Sequence, residues 1–246
     1  MARIALTAFI AVWALLGLIS PAAAQDVDAD DVQDLAGSIT DKDPQQVLEA
    51  IQGDFNTDNL PDGFSEVVAE GGDGTPEATG APSPTDLFSE ADFNDAVGLA
   101  AFSVTADESD GEDGNSEAEA EGTLPAAMQS FDFYAIFYVV FENEDAARAA
   151  LDEAIDDEAG GMAGLEVEAH EDFGVPGATV SGAQTQEGTS SGLGVNAVQV
   201  GNVLIMGIAA AFDATGEEIN FDEVNETAEN LTKSAILHLD QSVEDL

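Results

Sequence analysis

The clearest pattern in the chain is the apolar run Val195–Phe212, which a Gly-Asn pair divides into two halves rich in β-favouring residues. Gly201 and Asn202 both tolerate a positive φ, so the pattern predicts a β-hairpin with a two-residue loop. In that register Val200 faces Val203 across the turn. We expect the rest of the fold to be built around this hairpin.

A second apolar run, Phe131–Phe141, is rich in aromatic and β-branched residues and predicts a buried strand. Its two alternating sets of side chains are both apolar. The same holds for the half of the first run that follows the Gly-Asn pair. Such strands are either central and covered on both faces, or they have one face against another subunit. Small residues such as Gly207 and Ala209 would let a helix or a second chain approach closely. The Val195–Phe212 sheet face is therefore also the predicted contact for a protein partner or a homo-oligomer.

Helical periodicity predicts helices that start near Asp43, Asn143 and Asn220, each with an apolar stripe. Further strands are expected at Ala96–Ala106 and between residues 165 and 184. This order of elements predicts an α+β fold. We expect a mostly antiparallel sheet with two or three helices packed on one of its faces, plus disordered acidic and Pro/Gly-rich segments.

Composition divides the chain into segments. They are a signal peptide at 1–24, an acidic flexible arm at 25–42, a short helix-turn-strand segment at 43–69, a low-complexity linker or loop at 70–86, a main α+β domain at 87–240 that contains an acidic loop at 107–123, and an acidic tail at 241–246.

The N-terminal segment has the layout of a secretory signal peptide. Arg3 precedes the apolar run Ile4–Ile19, and three alanines before Gln25 form a small-residue cleavage site. The run is shorter than the roughly 20 residues that a membrane span needs. The chain has no Cys, so no lipid can be attached through one. We therefore expect a secreted or extracytoplasmic protein that is soluble, without a stable membrane anchor, after cleavage.

The charge balance changes the functional picture. There are 51 Asp and Glu residues against 4 Lys and Arg, which gives a formal net charge of -47. Because four basic residues cannot neutralise a phosphate backbone, we predict no nucleic-acid binding. The charge fits a surface adapted to a salty or acidic medium, in which self-repulsion is relieved. The alternative is a surface that binds cations or a basic partner.

Few residues offer catalytic chemistry. His170 and His238 have no second ligand at metal-binding spacing, and each is expected to be partly exposed beside carboxylates. The glycine-rich stretch at 188–194 has no Lys and leads into a strand, so a strand connection is favoured over a phosphate loop. No nucleophile elbow is present. Paired catalytic carboxylates cannot be distinguished from so many other acidic residues.

Calcium is the one metal that the sequence favours. Oxygen-bearing side chains occupy the first, third, fifth and ninth positions of a loop that resembles an EF-hand, and these are Asp54, Asn56, Asp58 and Asp62. The match is incomplete because the twelfth position is Ser65 and Pro61 interrupts the loop. A capped turn between a helix and a strand is the alternative. No other cofactor is predicted.

Together these patterns predict an exported, strongly acidic, non-enzymatic module that binds a ligand or partner outside the cytoplasm. Two alternatives stay open. One is a secreted hydrolase that uses a carboxylate pair hidden in the acidic background, and the other is a structural or cation-buffering surface protein.

Overall fold

The computed structural model describes residues 27–69, 95–106, 130–161, 166–186, 189–213, 219–244 and 246. In chain order the elements are α1 Ala29–Thr40, α2 Pro44–Ile51, a 3-10 turn Thr57–Asn59, β1 Phe64–Ala69, β2 Ala96–Ala106, β3 Ser130–Phe141, α3 Glu144–Gly161, β4 Glu166–His170, β5 Gly177–Gln186, β6 Thr189–Val200, β7 Val203–Asp213 and α4 Phe221–Val243. The predicted signal peptide at 1–24, linker at 70–86 and acidic loop at 107–123 lie outside the described residues.

All seven strands form one antiparallel sheet in the order β1-β2-β3-β7-β6-β5-β4. The predicted α+β class with a mostly antiparallel sheet is thus confirmed. β7 is the middle strand, so the β6–β7 hairpin lies at the centre of the sheet, as expected. Its register is also confirmed, because Val200 pairs with Val203. Gly201 adopts a φ of 59°, the left-handed conformation that the two-residue turn requires.

Helices cover both faces of this sheet. One face packs against α1, α2 and α4, and its buried strand residues include Ala100, Phe102, Val104, Ile136, Tyr138, Val140, Val198, Val200, Val203 and Ile205. The other face packs against α3, and its buried strand residues include Ala101, Phe133, Ala135, Phe137, Val139, Ala178, Val195, Leu204, Met206 and Ile208. The described residues hold four α-helices where two or three were expected: α1, α2 and α4 lie on one face, and α3 adds cover on the second. The physical reason is that β3 and β7 are apolar on both sides, so each side must be shielded from water.

This arrangement decides between the two explanations for the doubly apolar run Val195–Phe212. Residues 195–209 are all buried within the chain itself, on both faces of the sheet. Cover comes from α4 on one side and α3 on the other. The double apolar pattern therefore needs no second subunit to explain it.

The prediction of a flexible acidic arm at 25–42 was wrong for residues 29–40, because they form α1. Asp28 caps this helix, since its carboxylate accepts a hydrogen bond of 2.9 Å from the Asp30 N–H. Val32, Leu35 and Ile39 are buried at helical spacing in the core under the sheet. The remaining positions hold three aspartates and small or polar residues, so the composition hid a short apolar stripe.

The segment 43–69 and the predicted tail at 241–246 also belong to the same core. Asp43 caps α2, and Pro44 lies in the first turn of this helix, as the sequence predicted. β1 pairs with β2 at the edge of the sheet. α4 continues to Val243, which is buried, so the predicted tail is helical over its first three residues. These segments contribute to one shared core rather than standing apart from the domain predicted at 87–240.

Candidate binding cleft

The residues predicted to bind calcium lie around the 3-10 turn that precedes β1. Asn56 caps this turn by accepting a 3.1 Å hydrogen bond from the Asp58 N–H, and its amide also donates to Gln241 of α4. Neighbouring Asn59 is buried and donates to the same Gln241 oxygen at 3.2 Å. Among the described residues, no three His, Cys, Asp or Glu side chains are grouped so that they could hold a metal ion. The calcium site at Asp54, Asn56, Asp58 and Asp62 stays a prediction.

His238 is buried, and the expectation that it is partly exposed beside carboxylates was wrong. Its ring stacks on Phe55 with centroids 4.4 Å apart and lies 5.8 Å from that of Phe102. Nε2 is 3.1 Å from the Ile51 carbonyl oxygen, so this nitrogen carries the proton and donates to it. Burial lowers the pKa of His238 below its usual 6.5, although the bond to Ile51 acts in the opposite direction. The residue joins α4 to the end of α2 and has a structural role.

His170 does lie beside a carboxylate, but its side chain is only 10% exposed. Nδ1 is 3.4 Å from an oxygen of Asp172, and Nε2 is 3.2 Å from the Asn196 amide nitrogen. The same amide donates to the Thr179 hydroxyl at 3.3 Å. The imidazole thus contacts a carboxylate through one nitrogen and an amide through the other. The contacts join β4, β5 and β6.

Helix α4 crosses the centre of the sheet at very short range, and glycine makes this possible. A Cβ at Gly207 would overlap the Ala228 carbonyl oxygen and lie 2.7 Å from the Thr232 backbone nitrogen. The buried Thr232 hydroxyl accepts a 3.1 Å hydrogen bond from the Gly207 N–H. The same oxygen is 3.0 Å from the carbonyls of Asn196 and Ala228. The helix is thus fixed to β6 and β7 at this point.

Towards its N-terminus the same helix leaves a cleft against β3 and β7. We call this space, which has a volume of about 240 Å³, the Tyr134 cleft. It is lined by Asp132 and Tyr134 of β3, by Ala209, Ala210, Ala211, Phe212 and Asp213 of β7, and by Ile219, Asn220, Glu223, Val224 and Thr227 at the start of α4. Ala209 and Ala211 supply an apolar floor, Ile219 and Val224 add apolar surface from the side of α4, and the polar side chains surround them.

Tyr134 is the largest polar side chain of the cleft and is half-buried. Its ring packs edge to face on Phe64, with centroids 4.8 Å apart and planes at 84°. Burial raises the pKa of Tyr134 to about 12, with smaller contributions from the charge and hydrogen bond of Asp132 and from the charge of Glu223. The phenol therefore stays neutral at physiological pH and donates to a carboxylate at the edge of the cleft.

The start of α4 adds negative charge to the cleft. Asn220 is the N-cap residue, as the sequence predicted, but its side chain makes no capping hydrogen bond. Its amide instead donates to Glu223 at 3.3 Å, which holds that carboxylate at the cleft. Asp222 and Glu223 both lie in the first turn. Their full charges exceed the roughly half positive charge of a helix N-terminus, so this end of α4 is negative overall.

A second concave surface, of about 520 Å³, lies between α1 and α4. Its floor is apolar, with Val32 and Ile236 buried, and aspartates such as Asp31 and Asp240 surround it. These aspartates are exposed, and none of the described residues that line the groove is aromatic. Its described polar lining groups are thus all exposed, whereas Tyr134 and Thr227 of the Tyr134 cleft are half-buried.

No protein-family model matches the chain, and no curated protein sequence matches it. Among solved structures, the chain is similar to the crystal structure of the extracellular domain of PknH from Mycobacterium tuberculosis, at 9% sequence identity and a TM-score of 0.30. The alignment covers 60% of this chain and 66% of that chain, which is just under two thirds of its length. Within the described residues, no helix combines the length and the apolar character that a membrane crossing requires.

Sequence reasoning did not find the Tyr134 cleft, although it held two signals. Asp132 is the only charged residue within the otherwise apolar run Phe131–Phe141. The small residues after Gly207 were identified as a place of close approach, and α4 does come close at Gly207 itself. What the sequence lacked was the pairing of Tyr134 with Ala209, which brings β3 and β7 together.

Proposed function

We propose that this protein is an exported, non-enzymatic module that binds a small ligand in the Tyr134 cleft. The observation that carries this proposal is the convergence of polar side chains from two strands and one helix over an apolar floor. Ligand sites combine an apolar lining with a few placed polar groups in this way. The volume of about 240 Å³ lies below the roughly 300–1,000 Å³ of pockets for drug-sized ligands, which favours a small ligand or a single chemical group.

The surroundings of the cleft support a site that is formed before the ligand arrives. Its sheet side belongs to β3 and β7, which are central strands of the sheet. Its helical wall is fixed a few residues further on, where Thr232 bonds to Gly207. Phe64 holds the ring of Tyr134 from the side. A site on such rigid elements loses little entropy when it binds a ligand.

Export is supported by the signal-peptide pattern at 1–24, and the strongly acidic surface fits a salty or acidic medium. The run Val195–Phe212 stays a proposed partner surface only at its far end, because residues 210–212 are half-buried while residues 195–209 are buried. A partner at that end would lie next to the Tyr134 cleft.

Filling the cleft provides the test of this function. In the Ala211→Leu variant the larger side chain is expected to occupy the floor and abolish binding. A fragment library screened by ligand-dependent rise in melting temperature should give hits on the wild type, which a ligand at 100 times its Kd stabilises by about 2.7 kcal/mol. Ala169→Leu is the matched control, since Ala169 is an exposed strand residue on β4. Hits that survive in Ala211→Leu would contradict the proposed site.

The hydrolase alternative would use the same cleft, because Asp132 on β3 and Glu223 on α4 are carboxylates on facing elements. A glycosidase pair needs carboxyl groups roughly 5–9 Å apart on either side of the scissile bond. Turnover of a chromogenic glycoside by the wild type, lost in Asp132→Asn and in Glu223→Gln, would replace the binding proposal by this one.

A further inference from the structure

The chemistry of the Tyr134 cleft also restricts which ligand it can take. Among the described residues that line it, three carry carboxylates, those of Asp132, Asp213 and Glu223, and none is Lys or Arg. An anionic ligand would be repelled by these charges and would find no cation to bind. The aromatic ring of Tyr134 and the alanine floor contribute surfaces that favour apolar or weakly hydrated groups.

Carboxylates alone do not distinguish this cleft, because acidic residues are spread over the whole chain. The distinguishing feature is that an aromatic ring and an apolar floor lie within the same small space as the carboxylates. A small metal ion does not fit this set, because the described residues contain no group of three acidic, His or Cys side chains that could hold one. Its tightly bound water would also gain nothing from the apolar floor.

We propose that the ligand of the Tyr134 cleft is an organic ammonium cation, with its methyl or methylene groups on the alanine floor and its charge between the Tyr134 ring and the carboxylates of Asp132 and Glu223. This inference rests on the proposed binding function. A cation over an aromatic face is attracted by the ring's quadrupole, and quaternary ammonium groups are weakly hydrated enough to enter such sites. The full charge of Glu223 outweighs the positive end of α4.

Isothermal titration calorimetry with two probes of equal shape tests this inference. Choline carries a quaternary ammonium group, and 3,3-dimethyl-1-butanol is its neutral carbon analogue. At constant ionic strength set with NaCl, choline is expected to bind at least about tenfold more tightly than the analogue. Equal affinity for the two probes would overturn the cation inference and leave the proposed binding function intact. The absence of choline binding would also overturn the inference, while the fragment screen decides the binding function separately.

Variants of the lining residues locate the binding. Tyr134→Leu removes the ring and is expected to weaken choline binding about tenfold or more, whereas Tyr134→Phe keeps the ring and most of the affinity. Glu223→Gln keeps the shape, removes one charge and should weaken binding severalfold. Glu226→Gln is the matched control, since Glu226 is exposed on the same helix and does not line the cleft. Equal losses in Glu223→Gln and Glu226→Gln would show a diffuse charge effect and contradict the site.

Discussion

Tyr134 and Tyr138 lie four residues apart on the same face of β3, under the same helix, and their surroundings differ completely. Tyr138 is fully buried, and its hydroxyl donates a 2.9 Å hydrogen bond to the Ala235 carbonyl of α4. Tyr134 is half-buried and reaches Asp132 and the open cleft. Burial raises the pKa of both phenols, that of Tyr138 well above its usual value and that of Tyr134 to about 12.

The difference comes from how closely α4 approaches the sheet along its length. Around Ala228 and Thr232 the helix is in contact with the bare backbone of Gly207. Nearer its start the helix faces Ala209 and Ala211, with Tyr134 beside them, and space is left between the two layers. We infer that one half of the helix stabilises the fold and the other half forms one wall of a binding site.

The largest expected effect is on the stability of the part of α4 around Ala228 and Thr232, which we call the closed half; the part nearer its start is the open half. In Gly207→Ala the added Cβ would overlap the Ala228 carbonyl and the Thr232 nitrogen, both of which are backbone atoms that cannot rotate away. We expect a loss of about 3 kcal/mol in the free energy of unfolding, measured by urea denaturation in molar NaCl. Gly37→Ala is the control, because nothing lies within 4 Å of the new Cβ and a helical Gly→Ala change should stabilise α1 by about 1 kcal/mol. Equal stability of the two variants would contradict the close approach.

Two threonines of α4 give the next comparison. Thr232→Val keeps the shape but leaves the buried Gly207 N–H without its acceptor, which should cost about 2 kcal/mol. Thr227→Val changes a half-buried residue that lines the cleft, and it should alter stability by less than about 0.5 kcal/mol. Urea denaturation of both variants measures the difference, and similar losses would show that the cleft is as tightly packed as the closed half.

The two tyrosines themselves are expected to differ by a smaller amount. Tyr138→Phe removes the hydrogen bond to Ala235 and should cost about 1 kcal/mol of unfolding free energy. Tyr134→Phe removes a hydroxyl that solvent partly reaches, so its cost should stay within about 0.5 kcal/mol. Thermal unfolding of the two variants at one salt concentration is the measurement. A larger loss in Tyr134→Phe would place the structural bond in the cleft instead.

The smallest expected effect is the pH dependence that His238, in the closed half, gives to the free energy of unfolding. Burial lowers its pKa in the folded state below the usual 6.5, so below that pH the unfolded chain binds a proton more readily than the folded one. The stabilisation is complete above 6.5 and is lost as the pH falls through the folded pKa. We expect the stability advantage of wild type over His238→Gln to shrink between pH 8 and pH 5, while carboxylate effects cancel in the difference. An advantage that grows on acidification would show a charged histidine in the folded state.

Local chemistry explains why much of the fold could be predicted from sequence. The turn residues Gly201 and Asn202 determine the hairpin register, and the two-residue alternation of β3 determines which side chains share a face. The predicted stripe of α4 is also confirmed, with Val224, Ala228 and Leu231 buried. Each of these signals lies within a single element or turn.

Features that depend on distant residues could not be predicted in this way. His238 is buried because Phe55 and Phe102 come to it from other parts of the chain. α1 was missed because its three buried side chains, Val32, Leu35 and Ile39, are separated by acidic and other polar residues. The Tyr134 cleft requires the pairing of β3 with β7 and the crossing point of α4, and neither follows from a local pattern.

The chain contains only two tyrosines in all, which makes the central comparison directly measurable. Labelling the tyrosine rings with carbon-13 provides one probe in the cleft and one in the closed core of the same molecule. On titration with choline, we predict that the NMR signals of the Tyr134 ring shift to saturation while those of Tyr138 stay in place. Unchanged Tyr134 signals, or equal shifts of both rings, would contradict the account of a binding site in the open half of α4.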